Sequence, residues 1–109
     1  EEYLEAAEEY KTASELKPEY SEAYNNWGIA LVDLAKTKSD NEAEELYKEA
    51  FEKYKQATLA MPNFYGTYYN WGNALIALAE IKSGSEAEKL YKEAFEKYKH
   101  ATTYKKDKY

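Results

Sequence analysis

Residues Leu46–Lys55 read Leu-Tyr-Lys-Glu-Ala-Phe-Glu-Lys-Tyr-Lys, and the same stretch returns unchanged as Leu90–Lys99. The offset is 44 residues, and Trp27-Gly28 returns at the same offset as Trp71-Gly72. A fixed period of this size is typical of stacked supersecondary units, in which each repeat contacts only its neighbours. The sequence therefore predicts a repeat protein rather than a chain folded around one central core.

Apolar residues on either side of the repeated stretch follow the spacing of an α-helix. They advance in steps of three and four, the period of one helical face. The clearest set is Tyr24, Trp27, Leu31, Leu34 and Ala35. No stretch alternates apolar and polar residues as a half-buried strand does. The pattern predicts an all-α fold with five helices, at about 2–16, 20–37, 41–60, 64–82 and 85–104.

Turn and capping residues divide the chain into repeats. Pro18 and Pro62 each follow a helical pattern and end it. The spans 41–44 and 85–88 have the form of helix-starting capping boxes, and Gly84 suits a turn just past a helix. We expect one domain over 1–109: a partial repeat at 1–19 that holds only a second helix, full repeats at 20–63 and 64–107, and a frayed tail at 105–109.

Composition and charge exclude several classes of partner. The net charge is −6, which argues against nucleic acid and anionic membrane surfaces because both need a basic face. There are no cysteines, so thiolate metal sites and disulfides are absent. No apolar run approaches the ~20 residues of a membrane span, and no secretory leader begins the chain. We therefore expect an intracellular soluble protein of unassigned compartment, and an excised or engineered fragment, since the chain starts at Glu1.

The repeated motifs resemble the tetratricopeptide repeat over nearly the whole chain. The first helix reads Tyr24-x-x-Trp27-Gly28-x-x-Leu31, and the second carries alanines and tyrosines at the spacing of that family before Pro62. The family's usual repeat has about 34 residues, so this is a long variant whose extra residues lengthen both helices. The resemblance implies a right-handed superhelical α-solenoid of antiparallel helix hairpins.

The same resemblance assigns a set of residues to packing between helices. Gly28 and Gly72 would allow two helices to cross closely, since glycine has no Cβ. Aromatic side chains would fill the space around small ones. The packing set is Tyr24, Trp27, Gly28, Leu31, Ala50, Tyr54, Ala57, Tyr68, Trp71, Gly72, Leu75, Ala94, Tyr98 and Ala101.

In that family the first helix of each repeat lines a concave groove that takes peptides or helices. The residues carried over to the groove are Glu22, Asn25, Asn26, Ile29, Asp33, Tyr69, Asn70, Asn73 and Ile76. Asn26 and Asn70 recur at the same place in the two repeats, and an amide can bond a peptide backbone both as donor and as acceptor. The alternative is that these amides bond across neighbouring helices and hold the stack together.

No catalytic or metal-binding constellation stands out. His100 is the only histidine, and we expect it on the surface near Glu96. The glutamates recur at solvent-facing helical positions, and neither a phosphate-binding loop nor a nucleophile elbow is present. The sequence predicts a protein that is not an enzyme and that uses no cofactor or metal.

The sequence leaves two functions open. The first is a protein–protein interaction scaffold that holds an extended peptide or amphipathic helix of neutral to basic charge in the groove. The second is a structural, self-associating fragment without a groove ligand, because its terminal helices have apolar faces with no neighbour. The terminal residues are Tyr3, Leu4, Ala7 and Tyr10 at one end and Tyr91, Phe95 and Tyr98 at the other.

Overall fold

The computed structural model describes residues 3–8 and 21–108, and every element in these ranges is helical. Residues 3–8 form the described part of α1. It is followed by α2 (Ser21–Ala35), α3 (Asp40–Ala60), α4 (Tyr65–Ala79) and α5 (Gly84–Lys108). The all-α class with five helices is confirmed. Tyr10, Pro18 and the predicted end of the first helix lie outside the described residues.

The helix ends differ from the predictions by a few residues. α2 ends at Ala35 and α4 at Ala79, before the predicted ends at 37 and 82. A turn with hydrogen bonds of the 3₁₀ type follows each of these helices. In it the Lys38 N–H donates to the Ala35 carbonyl and the Lys82 N–H donates to the Ala79 carbonyl, both at 3.1 Å. α5 continues to Lys108, into the segment predicted to fray. Fraying and the division into repeats stay predictions.

Both predicted capping boxes are misplaced. α3 begins at Asp40 after an extended Ser39 that makes no side-chain cap bond, so Asn41 already lies inside the helix. α5 begins at Gly84, and Ser85 is likewise internal. Gly84 has φ +60°, which glycine adopts without the steric cost that a side chain adds. Its counterpart Asp40 is not in that region, so the two turns between helices have different backbone geometry.

The helices pack as two hairpins, α2 on α3 and α4 on α5, and α3 also packs against α4. One buried cluster runs through both hairpins and includes Trp27, Leu31, Trp71 and Leu75. Of the packing set, Tyr24, Tyr68 and Tyr98 are half-buried and the other members are buried. A hydrophobic core is therefore shared along the stack rather than confined to one hairpin.

In each hairpin, the glycine of the Trp-Gly pair lies against a tyrosine of the second helix. A Cβ at Gly28 would lie 2.5 Å from Tyr54 Cε1, and one at Gly72 would lie 2.6 Å from Tyr98 Cε1. The tyrosine ring of the second helix therefore lies directly on the glycine backbone of the first. Among the described residues, no helix is both long and apolar enough to cross a bilayer.

Candidate functional site

The groove residues predicted from the sequence lie on α2 and α4, at three levels of exposure. Glu22, Tyr69 and Asn73 are exposed. Asn26, Ile29, Asp33, Asn70 and Ile76 are half-buried. Asn25 is buried. We call all of these residues except Asn25 the groove face.

Asn25 is part of the contact between the hairpins, and its assignment to the groove is wrong. Its Oδ1 accepts a hydrogen bond from Thr67 Oγ1 at 2.9 Å and a second from Asn70 Nδ2 at 3.3 Å. The alternative in which amides bond across neighbouring helices therefore describes Asn70, whose partner is Asn25. Buried polar groups need such partners, because losing one leaves the other unsatisfied.

Thr67 is the member of this contact that the sequence pattern did not single out. It is fully buried on α4 and occupies the place that Ala23 occupies on α2. The available signal was the exchange of alanine for threonine at a position where the helix is otherwise apolar. A buried hydroxyl of this kind implies a hydrogen-bond partner on a neighbouring element.

Three side chains form a polar aromatic cluster on the exposed side of the second hairpin. The rings of Tyr69 and Tyr98 lie 5.7 Å apart with an interplanar angle of 50°. Tyr98 Oη donates a hydrogen bond to Asn73 Oδ1. Burial, and to a lesser degree the neighbouring Tyr69, raises the pKa of the Tyr98 phenol, which is therefore a neutral donor at physiological pH. Tyr69 is 56% exposed and thus presents an aromatic face to solvent.

The first hairpin presents a different surface at the corresponding place. Ile29 stands where the second hairpin has Asn73, and Tyr54 is buried where Tyr98 is half-buried. Burial, and secondarily the negative charge of Asp33, raises the pKa of the Tyr54 phenol. The first hairpin therefore contributes two carboxylates, an amide and an isoleucine to the groove face, and the second contributes a tyrosine, two amides and an isoleucine.

Two lysines of the second helices pack over the tryptophans. Lys53 Nζ lies 3.7 Å from the ring centroid of Trp27, and Lys97 Nζ lies 3.8 Å from that of Trp71. Partial burial lowers the pKa of Lys97. Through these cation–π contacts each lysine packs against the first helix of its hairpin. Helical periodicity alone identifies such lysines only as surface cations.

His100 lies on the surface, as the sequence predicts, and its ring stacks on Tyr68 at 5.1 Å. No cluster of three acidic or histidine side chains suited to a metal occurs within residues 3–8 and 21–108.

Comparison with known proteins places the chain in one family. The model of the family described as "Plant specific mitochondrial import receptor subunit TOM20" matches residues 2–108. A comparison with curated proteins gives no significant match. The family is one of receptors, not of enzymes, and a receptor for import binds other proteins. Its mitochondrial role shows that the expectation of a soluble intracellular protein of unassigned compartment is wrong. Because the match spans nearly all of its residues, the chain belongs to the plant-specific family of the mitochondrial import receptor subunit TOM20.

Proposed function

We propose that this chain is a receptor domain that binds the targeting segments of proteins destined for mitochondria, and that it does so on the groove face. The family supplies the class of function. The tetratricopeptide-like superhelix, the groove itself and an association of the whole protein with the mitochondrial membrane are parts of the same proposal.

Charge supports a basic ligand. Mitochondrial targeting segments are amphipathic and arginine-rich, and they contain few acidic residues. The chain has a net charge of −6, and Glu22 and Asp33 belong to the groove face. Opposite charge steers encounter and fixes orientation more than it adds affinity. We therefore expect the acidic residues to accelerate association and to make binding weaker at high salt.

The observation that carries the proposal is the exposed Tyr69 against Tyr98, with Asn73 beside them. A tyrosine is exposed here although its ring contacts another ring, so it is already oriented and loses little freedom when a ligand binds. Tyrosines of this kind are common energetic centres of protein interfaces. Ile76 lies two turns further along α4 and adds an aliphatic contact for the apolar side of a helix.

A fluorescence anisotropy titration tests the proposal. The probe is a labelled helical peptide of about 18 residues with leucines on one face and arginines on the other, and a shuffled peptide of identical composition is its control. We expect the amphipathic peptide to bind and the shuffled one to bind at least tenfold more weakly. Tyr69→Ala should weaken binding by about ten- to thirtyfold, the range of a moderate interface centre.

Two further variants distinguish binding on the groove face from non-specific hydrophobic binding. Leu59→Ala removes an exposed apolar side chain from α3, outside the groove face, and should leave the affinity unchanged. Asn73→Ile installs the residue of the first hairpin and should weaken binding less than Tyr69→Ala does. Equal binding of both peptides, or equal loss in the Tyr69 and Leu59 variants, would refute recognition on this face.

A further inference from the structure

The outer side of α5 is the last helix surface of the described stack. Among the described helices α5 packs on α4 alone, and no described helix follows it. Tyr91 and Phe95, one turn apart on this side, are 46% and 64% exposed. Leu90 beside them is half-buried. Adjacent exposed aromatic side chains of this kind mark interaction surfaces. We call Leu90, Tyr91 and Phe95 the end face.

The same ten residues occur a second time in the chain, and there a helix covers them. In α3 they are Leu46–Lys55, and α4 packs on that helix. Tyr47, the counterpart of Tyr91, is 5% exposed and shares a buried cluster with Leu78 of α4. Phe51 is half-buried, whereas its counterpart on α5 is exposed. Since the sequence and the helical conformation are the same, the end face has the side chains that accept a helix resembling α4.

The helix that covers α3 has a defined pattern of side chains. Trp71, Leu75 and Leu78 are buried in clusters that also contain α3 residues, and their spacing of four and three places them on one side of α4. Four residues later, just past the end of α4, Lys82 Nζ lies 2.6 Å from Glu44 Oε1 of α3. The covering element thus combines an apolar ridge with a cation at its carboxyl-terminal end.

The end face has the acidic group that such a cation needs. Glu88 is the counterpart of Glu44, and its side chain is 71% exposed. It pairs with Lys92 of its own helix at 3.4 Å. The charged residues around Tyr91 and Phe95 are Glu88, Lys92 and Glu96, which carry one more negative than positive charge. Charge complementarity therefore favours a covering helix that brings a cation to this edge.

We propose that the end face binds a helix of a partner protein that carries the α4 pattern: an aromatic residue, leucines four and seven positions later, and a lysine or arginine four positions after the second leucine. The bound helix lies on α5 as α4 lies on α3, with its ridge on Tyr91 and Phe95 and its cation at Glu88. A targeting segment has a different pattern, since it carries arginines along its length.

A second copy of the chain does not supply this helix. In α4 the pattern is buried within the stack. In α2 the equivalent residues Trp27, Leu31 and Leu34 face α1, which places Leu4 and Ala7 opposite them. The end face also shares no residue with the groove face. Binding there can therefore succeed or fail independently of the proposed receptor function.

A fluorescence anisotropy titration of the whole chain, up to about 1 mM, tests the proposal. The probe is a labelled helical peptide of about 20 residues, long enough to be helical alone, with no net charge and with Trp, Leu, Leu and Lys at the spacing of the α4 pattern. A peptide of the same composition with both leucines moved to the opposite side is the control. We expect the patterned peptide to bind and the control to bind at least tenfold more weakly.

Two variants of the chain locate the binding. Phe95→Glu puts a charge into the middle of the end face and should weaken binding at least tenfold. Because Phe95 is exposed, this change leaves the buried core intact. Tyr69→Ala changes the groove face instead and should leave the affinity for this peptide unchanged.

A charge exchange tests the orientation. Glu88→Lys should weaken binding of the patterned peptide about three- to fivefold, the range of an exposed ion pair, and a peptide with Glu in place of its Lys should recover that loss. Glu93→Lys is the matched control, because Glu93 is exposed on α5 but is not among the residues around Tyr91 and Phe95. It should not prefer the exchanged peptide.

Four outcomes would overturn the proposal. The patterned peptide fails to bind up to about 1 mM, or it binds as tightly to Phe95→Glu as to the wild type. Loss of binding in Tyr69→Ala alone would assign the peptide to the groove face. Binding of the arginine-rich amphipathic peptide that Phe95→Glu abolishes would assign the end face to targeting segments. A dimer of the wild-type chain that Phe95→Glu dissociates, measured by sedimentation velocity, would assign it to a second copy.

Discussion

The stretches Leu46–Lys55 and Leu90–Lys99 have one sequence and one helical conformation but two environments. Tyr47 is 5% exposed, whereas its counterpart Tyr91 is 46% exposed. α4 covers the outer face of α3, and no described element covers that face of α5. The comparison shows that the outward burial of this sequence depends on whether another hairpin comes after it.

The inward faces of the same stretches make the same contact with the first helix, although their tyrosines differ in burial. Tyr54 lies on Gly28 and Tyr98 on Gly72 with almost the same spacing. Packing within a hairpin is thus reproduced from one repeat to the next, while packing between hairpins is not. Substitutions at paired positions can measure how much stability each kind of packing contributes.

The largest difference is expected at the paired tyrosines. Tyr54→Ala should lower the free energy of unfolding by about 3–5 kcal/mol, since it removes a fully buried aromatic ring. Tyr98→Ala should cost about half as much, because that ring is half-buried. Urea denaturation of the two variants gives both values. Equal losses would show that the second hairpin adds nothing to the burial of the first.

The paired glycines come next. Gly28→Ala would place a Cβ against a tyrosine that has no room to move, a strain of about 1–3 kcal/mol. The gain of about 1 kcal/mol in helix propensity offsets only part of that strain. Gly72→Ala should be close to neutral, because the half-buried Tyr98 can turn outward. Thermal unfolding of both variants checks the order, and a larger loss at Gly72 would contradict it.

The bond between the hairpins gives a third contrast. Thr67→Val should cost about 1–3 kcal/mol, because it leaves Asn25 Oδ1 with only the longer bond from Asn70. Thr58→Val is the matched control, since the Thr58 hydroxyl bonds only the Lys55 carbonyl of its own helix. Denaturant unfolding measures both losses of stability. A larger loss for Thr58→Val than for Thr67→Val would show that the bond to Asn25 does not stabilise the contact between the hairpins.

The smallest effect concerns the ion pair between hairpins and depends on pH. Lys82 Nζ lies 2.6 Å from Glu44 Oε1, and hydrogen bonds from Lys82 and then Lys48 lower the pKa of Glu44. A lowered carboxyl pKa stabilises the fold above the unfolded value of about 4.5, and this contribution disappears as pH falls through the folded pKa. Glu44→Gln should therefore lower the melting temperature slightly at pH 7 and by less at pH 3.

The control for this ion pair is Glu88→Gln. Glu88 is the counterpart of Glu44 and pairs with Lys92 on its own helix at 3.4 Å, with both side chains exposed. Surface pairs of this kind contribute little, so the variant should melt as the wild type does at both pH values. A larger effect at Glu88 than at Glu44 would show that the bridge to Lys82 does not hold the hairpins together.

Much of the fold can be predicted from the sequence because its periodicity is long and repeated. The spacing of Trp27, Leu31 and their counterparts identifies helices and their buried faces, and the Trp-Gly pairs identify the close crossing. Helix starts were less predictable. Asp40 and Gly84 begin the second helices, whereas the capping-box patterns start one residue further in, since such patterns also occur within a first turn.

The candidate site is less visible in the sequence because it depends on how the hairpins meet. Asn25 and Tyr69 occupy equivalent positions, yet one is buried by the second hairpin and the other is exposed at the end of the stack. A helical pattern read repeat by repeat cannot show that difference. The mitochondrial role of the family could not be predicted from the sequence, because nothing in the composition indicates a cellular location. Only the family match supplies it.

The two links between hairpins have a consequence for the thermodynamics of binding. Asn25 meets Thr67 near the beginning of α4, and Glu44 meets Lys82 just past its end, so α4 is attached to the first hairpin at both ends. A helix held in this way can neither tilt nor slide freely against its neighbour. The surface that α2 and α4 present is thus pre-organised, and under the proposed function a ligand bound there would lose its own conformational entropy without having to order the receptor.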